Sequence, residues 1–153
     1  LWHRAQRRVT SWFFTRILAS LFVGLASWFT FFLFEIKYPV SLAIFAGVLN
    51  FIPIVGPVVV AFVIFAVVAL DSPVMGIVVL AAFTLIQQIE NNILTPWLSK
   101  KFVEMSPALV LLALAVGGQL WGVLGAILAV PLVGVIAEFG KDYAQKRRES
   151  NNV

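Results

Sequence analysis

Within twelve positions of an otherwise apolar stretch, Thr84-Leu85-Ile86-Gln87-Gln88-Ile89-Glu90-Asn91-Asn92-Ile93-Leu94-Thr95, the sequence places six hydrogen-bonding side chains and one carboxylate. At about 100° per helical residue, Gln87, Asn91, Thr84, Thr95 and Gln88 fall at about 0°, 40°, 60°, 80° and 100°. They form one narrow stripe, with Glu90 flanking it beside Gln87 and Asn92 flanking the other edge. Ile86, Ile89 and Ile93 form the opposite face, free for packing or lipid. Hydrogen-bonding groups are costly against lipid, so the stripe should face a bundle interior or an aqueous path. There Glu90 can serve as a proton or cation carrier, as an acceptor for a sugar-like solute, or as a boundary charge near the helix end. The density of amides beside it favours recognition of polar groups over a bare proton relay.

A second group of interest is Asn50-Phe51-Ile52-Pro53-Ile54-Val55-Gly56-Pro57. Pro53 cannot donate to the carbonyl of Leu49, nor Pro57 to that of Pro53, so two acceptors lose their helical partners. At membrane depth such groups must be satisfied by protein or by a water-filled cavity. Two readings stand. Asn50, Pro53, Gly56 and Pro57 either line a path, where the carbonyls and the Asn50 amide can coordinate a cation or bind a polar solute, or they form a tight turn capped by Asn50.

The third group runs from Gly117-Gly118-Gln119 to Pro131. Gly118, Gly122, Gly125, Ala126 and Ala129 follow helical spacing and would make a small-residue ridge for close helix packing. Gly117, Gly118 and Pro131 are alternatively hinge points, and Gln119 can face a cavity.

The elements that must position these groups follow from composition. Of 153 residues, 61% are hydrophobic and 12% charged, with a mean hydropathy of +1.01. With Gly counted in place of Tyr the apolar share is roughly two-thirds, against about 45–50% in soluble domains. A soluble globule of this size could not hide that much apolar side chain. Ile17 to Phe34 is an uncharged run of 18 residues, long enough to cross a bilayer. Val40–Leu70 and Pro107–Ala137 are each 31 residues without a charge. As single helices they would measure about 46 Å, longer than the ~30 Å apolar core of a membrane. The pattern predicts helices at about 17–36, 38–52, 57–70, 74–95, 107–117 and 120–139, in one transmembrane domain over 1–153. It has a basic cytoplasmic leader, 1–16, and a cytoplasmic tail, 141–153. Asp71-Ser72-Pro73 makes a polar turn with Pro73 suited to open a helix, and from Pro96 to Ser106 the chain is expected to be a loop carrying Lys100, Lys101 and Glu104. The fold class is all-α: a polytopic helical membrane protein with Pro/Gly-interrupted helices or re-entrant hairpins.

The net charge of +4 is concentrated at the ends, in Arg4, Arg7, Arg8 and Arg16 and in Lys141, Lys146, Arg147 and Arg148. By the positive-inside rule both ends are cytoplasmic and the number of crossings is even, six being preferred over four. Six crossings would leave the two interrupted segments inverted with respect to each other, the arrangement that points to a transporter's binding site. Trp2, Trp12, Trp97 and Tyr143 suit interface anchors, and His3 a solvated position. The basic clusters do not form a phosphate-binding stripe, so nucleic acid is not an expected partner. There is no cysteine, HExxH, GxSxG with a usable histidine, or P-loop. No enzyme activity, metal or cofactor is expected. The chain opens on Leu1 without a leader-like arrangement, and is expected to be part of a longer protein.

The order Leu49-Asn50-Phe51-Ile52-Pro53-Ile54-Val55-Gly56-Pro57, Gln87-Gln88-Ile89-Glu90-Asn91-Asn92-Ile93-Leu94-Thr95-Pro96, Ser106-Pro107-Ala108-Leu109-Val110 and Gly122-Val123-Leu124-Gly125-Ala126-Ile127-Leu128-Ala129-Val130-Pro131-Leu132 strongly resembles the autoinducer-2 exporter family of bacterial permeases, in the C-terminal portion of its members. The resemblance implies a multi-span homo-oligomer of the bacterial cytoplasmic (inner) membrane. It also implies export of a small polar solute such as the quorum-sensing signal autoinducer-2, or, for other members, sodium(lithium)/proton antiport. The expected partners are membrane lipid, a small polar solute or monovalent cation, and further copies of the chain. The expected path runs between the Asn50–Pro57 break and the Thr84–Thr95 stripe, with antiport through Glu90 as the first alternative and a non-transporting oligomeric scaffold as the second.

Overall fold

Proline and glycine set most of the element boundaries. The computed structural model describes residues 2–98 and 106–151, with side chains described for 9–98 and 106–136. Lys100, Lys101, Glu104, Glu138, His3, Trp2, Tyr143 and the side chains of Arg4, Arg7, Arg8, Lys141, Lys146, Arg147 and Arg148 lie outside those described. The elements are α1 (Trp2–Leu33), α2 (Pro39–Leu49), α3 (Val55–Asp71), α4 (Pro73–Ile89), a π-helical turn (Glu90–Leu94), α5 (Thr95–Leu98) and α6 (Pro107–Asn151). No strand occurs among the described residues. The all-helical membrane architecture expected from composition is therefore present.

The chain forms two units, residues 13–100 and residues 1–12 with 101–153. Helix α1 runs without interruption from the basic leader into the apolar run, because residues 2–16 contain neither Gly nor Pro; from Phe13 onward it belongs to the first unit. Within the stretch Val9–Leu33, which is long and apolar enough to cross a membrane, Arg16 stands between Trp12-Phe13-Phe14 and Ile17-Leu18. The helix stops at Glu35, in the left-handed region at φ 52°, with Ile36 N–H donating to Phe31 O and Glu35 N–H to Phe32 O. This pair of bonds satisfies the last carbonyls of the helix. Pro39 then starts α2. Pro73 starts α4 behind Ser72, whose hydroxyl accepts from Met75 N–H at 3.3 Å.

The first 31-residue stretch is broken, as its length required. The 11-residue α2 and the 17-residue α3 are about 16 and 26 Å long, each short of a ~30 Å apolar core. They pack on each other across the turn at 50–54. A Cβ on Gly56 would stand 1.8 Å from Leu49 O, so the start of α3 lies directly against the end of α2. Gly24 and Gly47 bring α1 and α2 together, and Gly76 rests on Ala69 between α4 and α3. Around these contacts sits one apolar core of Val23, Phe31, Leu42, Ala46, Val60, Ile64, Val68, Val79, Phe83 and Ile86. The buried faces are spaced at i, i+4, i+8 in α3 and nearly so in α4, as an amphipathic stripe demands.

In the other unit, α6 is not one rod. Trp121 (φ −136°, ψ 21°) and Gly122 (φ 62°, ψ −142°) break the helical path. Beyond the break the chain folds back, because a Cβ on Gly117 would meet Gly125 O at 2.4 Å and the Ala129 methyl at 2.6 Å. An unbroken helix would put Gly117 and Gly125 about 12 Å apart. Among the described residues, three helical stretches are long and apolar enough to cross a membrane, Val9–Leu33, Pro73–Leu98 and Pro107–Ile136. The third holds this fold-back, and its arm 107–120 is only about 21 Å long. Its geometry is that of a hairpin. The glycine ridge expected from Gly118 to Ala129 presumed a single helix, and the turn divides it: Gly117, not Gly118, meets Gly125 and Ala129.

Candidate functional site

The turn at 50–54 is built by Pro53 and Ile54. Pro53 O accepts from Val55 N–H at 2.7 Å while Ile54 adopts φ 64°, ψ −60°, a γ-turn of the rarer, strained hand. Leu49 O accepts from Ile52 N–H at 3.0 Å, and Ile52 O from Gly56 N–H at 3.0 Å. The carbonyls of Leu49 and Pro53, expected to lack partners and to be free for an ion, thus have local ones. Gly56 also crowds the Leu49 oxygen. Pro53 and Gly56 are buried and Pro57 half-buried. Phe51 packs on Phe13 of α1, with ring centroids 6.1 Å apart.

Asn50 closes α2, its N–H donating to Ala46 O at 3.0 Å. That leaves its side chain pointing inward, 1% exposed. Gln87 reaches it from the inner face of α4, donating from Nε2 to Asn50 Oδ1 at 3.4 Å. The pair is incomplete: Asn50 Nδ2 and Gln87 Oε1 are buried and unpartnered. On α1 the hydroxyls of Ser20 and Ser27 share that condition. Buried polar atoms are nearly always hydrogen-bonded, so four such atoms in one unit are unusual.

One turn along α4 from Gln87, Glu90 is also 1% exposed. Its Oε1 accepts from Thr95 Oγ1 at 2.8 Å and from Arg16 Nη1 of α1 at 3.4 Å. Arg16 was assigned to the leader by sequence. The signal that could have found it is its apolar setting, Trp12-Phe13-Phe14 before it and Ile17-Leu18 after it. Thr95 meets Glu90 through the π-turn, in which Thr95 N–H donates to Glu90 O, five residues back. A regular α-helix would place these side chains about 140° apart. The physical cause is Pro96, which has no N–H for the Asn92 carbonyl; widening the preceding turn accommodates it and lets the helix continue to Leu98.

The expected stripe is therefore split. Gln87 and Glu90 face inward and Thr95 is half-buried, while Thr84, Gln88, Asn91 and Asn92 are exposed on the flank of the unit. Thr84 Oγ1 donates to Leu80 O, and Asn92 Nδ2 to Gln88 Oε1. Of the opposite face, Ile89 and Ile93 are exposed, but Ile86 is buried in the core. Trp12, expected as an interface anchor, is buried, whereas Trp97 is exposed. In the second hairpin Gly117 and Gly125 pack, Pro131 is buried, Gly118 has nothing within 4 Å, Gly122 forms the turn and Gln119 is exposed. Those residues do not gather around any buried polar side chain among the described residues of the hairpin. No group of three or more His, Cys, Asp or Glu suited to a metal occurs among the described residues.

Comparison with known proteins follows the same lines. A family model described as "AI-2E family transporter" matches residues 1–145. "Putative transport protein YrrI" of Bacillus subtilis (strain 168) is 32% identical over 134 residues, which are 88% of this chain and 38% of that protein. For "Putative transport protein YhhT" of Escherichia coli (strain K12) the figures are 31% over 134 residues, 87% and 38%. For "Putative permease PerM" of the same strain they are 28% over 148 residues, 89% and 39%. The chain thus spans less than two-fifths of the length of these relatives. No solved structure matches it. With a family model covering nearly the whole chain, and apolar helices of spanning length, this multi-pass membrane protein belongs to the AI-2E family of transporters.

Proposed function

We propose that the chain carries the solute-binding part of a secondary transporter in the bacterial cytoplasmic membrane, homo-oligomeric and with both ends of the chain in the cytoplasm. The solute is small, polar and uncharged, and it is recognised at Asn50 and Gln87. The observation that carries this reading is the half-satisfied amide pair. Nδ2 offers N–H donors and Oε1 an acceptor, on two amides joined by one 3.4 Å hydrogen bond and screened from solvent. A hydroxyl both donates and accepts, so a hydroxylated solute can complete both groups at once. Leaving each of them unmet costs about 1–3 kcal/mol, which is free energy available to binding. Autoinducer-2, polyhydroxylated, is the first solute to test.

Two further features support the reading. Arg16, Ser20 and Ser27 lie at about 0°, 40° and 20° around α1, so these three polar groups share one face of the helix, with the buried Thr15 about 100° away. Thr84, Gln88 and Asn91, exposed within a spanning helix, are unsuited to lipid and fit a solute path or a neighbouring copy. Sodium(lithium)/proton antiport through Glu90 is the competing function; the Arg16 and Thr95 contacts, both made to its Oε1, speak against it.

The test is flux in proteoliposomes holding the full-length protein. Saturable autoinducer-2 flux that falls about tenfold in Asn50→Ala and in Gln87→Ala is expected. Sodium-driven proton movement abolished by Glu90→Gln would replace this function with antiport. A correctly assembled protein that moves neither would be a scaffold.

A further inference from the structure

Five charged side chains lie among those described, and three of them, Glu35, Lys37 and Asp71, are exposed. The other two are Arg16 and Glu90, whose side chains are 13% and 2% exposed and which face each other at 3.4 Å. Among its described residues, the unit that holds the amide pair therefore has interior charges that sum to zero through a single ion pair, one helical turn from Gln87. A buried ion pair is a poor way to gain stability, since desolvating two charges offsets most of their attraction. Apolar residues of the same volume would serve the core as well or better. What the pair does supply is a defined charge at a defined depth, and polar or charged rings at such depth are what set the selectivity of membrane paths.

We infer that Arg16 is the residue that fixes charge selectivity: by neutralising Glu90 beside Asn50 and Gln87, it makes the path accept uncharged polar solutes and reject small ions of either sign. The inference rests on the solute path proposed above. With Arg16 present, a monovalent cation approaching Glu90 meets a guanidinium at the same distance, and an anion approaching Arg16 meets a carboxylate. Thr95, donating to the same carboxylate oxygen, holds Glu90 in place for Arg16 and carries no formal charge itself. Arg16 is a positioning and specificity residue in this scheme; it does not need to touch the solute.

Opposite substitutions should open the path to opposite ions. In Arg16→Gln the uncompensated Glu90 carboxylate becomes a cation site, and sodium uptake into full-length-protein vesicles should rise about tenfold or more over wild type, with chloride unchanged. In Glu90→Gln the uncompensated Arg16 should raise chloride uptake by a similar factor and leave sodium unchanged. The double variant Arg16→Gln/Glu90→Gln, neutral again, should return both to the wild-type level, and Arg16→Lys should keep sodium out. A clasp that only holds helices together predicts the same leak of both ions in both single variants, and that result overturns the inference. So does wild-type sodium flux that is lost in Glu90→Gln. If one single variant fails to assemble, the other still carries the test through its own ion. Hydroxylated-solute flux in the same vesicles reads the earlier proposal separately: ion rejection unchanged in every variant while solute still moves sinks the role of Arg16 alone, and silence towards solute and ions in all of them sinks both.

Discussion

The turn after Leu49 is made with proline and carries a buried amide; the turn after Leu120 is made with glycine and carries none among its described side chains. Both interrupt a 31-residue uncharged stretch, and both seat a glycine of the returning arm on a carbonyl of the outgoing one, Gly56 on Leu49 and Gly125 on Gly117. The close approach is thus the common requirement of folding an apolar helix back on itself. What differs is the use made of the turn. In the first hairpin Asn50 is turned inward against Gln87, and in the second Gln119 stays exposed. Among the described residues, a buried polar side chain sits at the first turn and none in the second hairpin, which is held by apolar packing.

The shared device should give the largest effects. A methyl on Gly56 or Gly125 would stand 1.8 or 1.9 Å from a backbone oxygen, where nothing flexible can yield. Gly56→Ala and Gly125→Ala should each cost about 3 kcal/mol, read as a loss of thermal stability in detergent. Gly118→Ala, with open space around it, should be neutral or stabilise by up to about 1 kcal/mol through helix propensity. Unequal losses at Gly56 and Gly125 would end the idea that the two hairpins share one constraint.

Backbone geometry should then separate them by sign. Gly122 holds φ 62°, ψ −142°, a region open essentially to glycine, and Gly122→Ala should destabilise by about 2 kcal/mol. At the first turn the positive φ of 64° falls on Ile54, a β-branched residue 39% exposed. Ile54→Gly relieves strain and gives up little burial, so it should stabilise by about 1 kcal/mol. If that change also impairs solute flux, the strain at Ile54 serves to aim Asn50.

The hairpins' polar residues come next. Asn50→Ala removes the partner of Gln87 and leaves its amide buried and unmet, a cost of about 1–3 kcal/mol in addition to lost flux. Gln119→Ala should change stability by less than about 0.5 kcal/mol and leave flux intact. Equal consequences would mean that polarity at the second turn is used as well.

How much of this the sequence disclosed differs between the same regions. Length against bilayer thickness required a break in each long stretch, and Pro73 marked the start of α4 because a proline acts locally; the Ser72 cap shows in the sequence only as part of a polar turn. Asn50, Gln87 and Glu90 were visible as polar residues out of place in apolar surroundings. The pairing of Asn50 with Gln87, 37 residues away, follows from how α2 and α4 pack, which no local pattern encodes. Arg16 was read by its neighbours in the basic cluster when its apolar flanks mattered more. Regular helical angles failed at both places where the helix is irregular: the π-turn brought Thr95 onto Glu90, and the Trp121–Gly122 turn cut the glycine ridge. Proline 96 and the glycines announced irregularity, but not which of several local solutions the chain would adopt.

The smallest effect belongs to the charges that bracket the first hairpin. Lys37 precedes α2 and Asp71 ends α3, and their side chains, 65% and 60% exposed, stand 3.8 Å apart. An exposed pair at that separation gains little Coulomb energy, and ordering a lysine costs entropy. Lys37→Ala should therefore lower stability by no more than about 0.5 kcal/mol, and about 1 M salt, where the Debye length is ~3 Å, should erase the difference. The check is thermal unfolding of both proteins at low and high salt. A salt-resistant loss above about 1 kcal/mol would mean that the open ends of the hairpin are held by this pair, and the contact of Gly56 with Leu49 would no longer be sufficient to explain why α2 and α3 stay together.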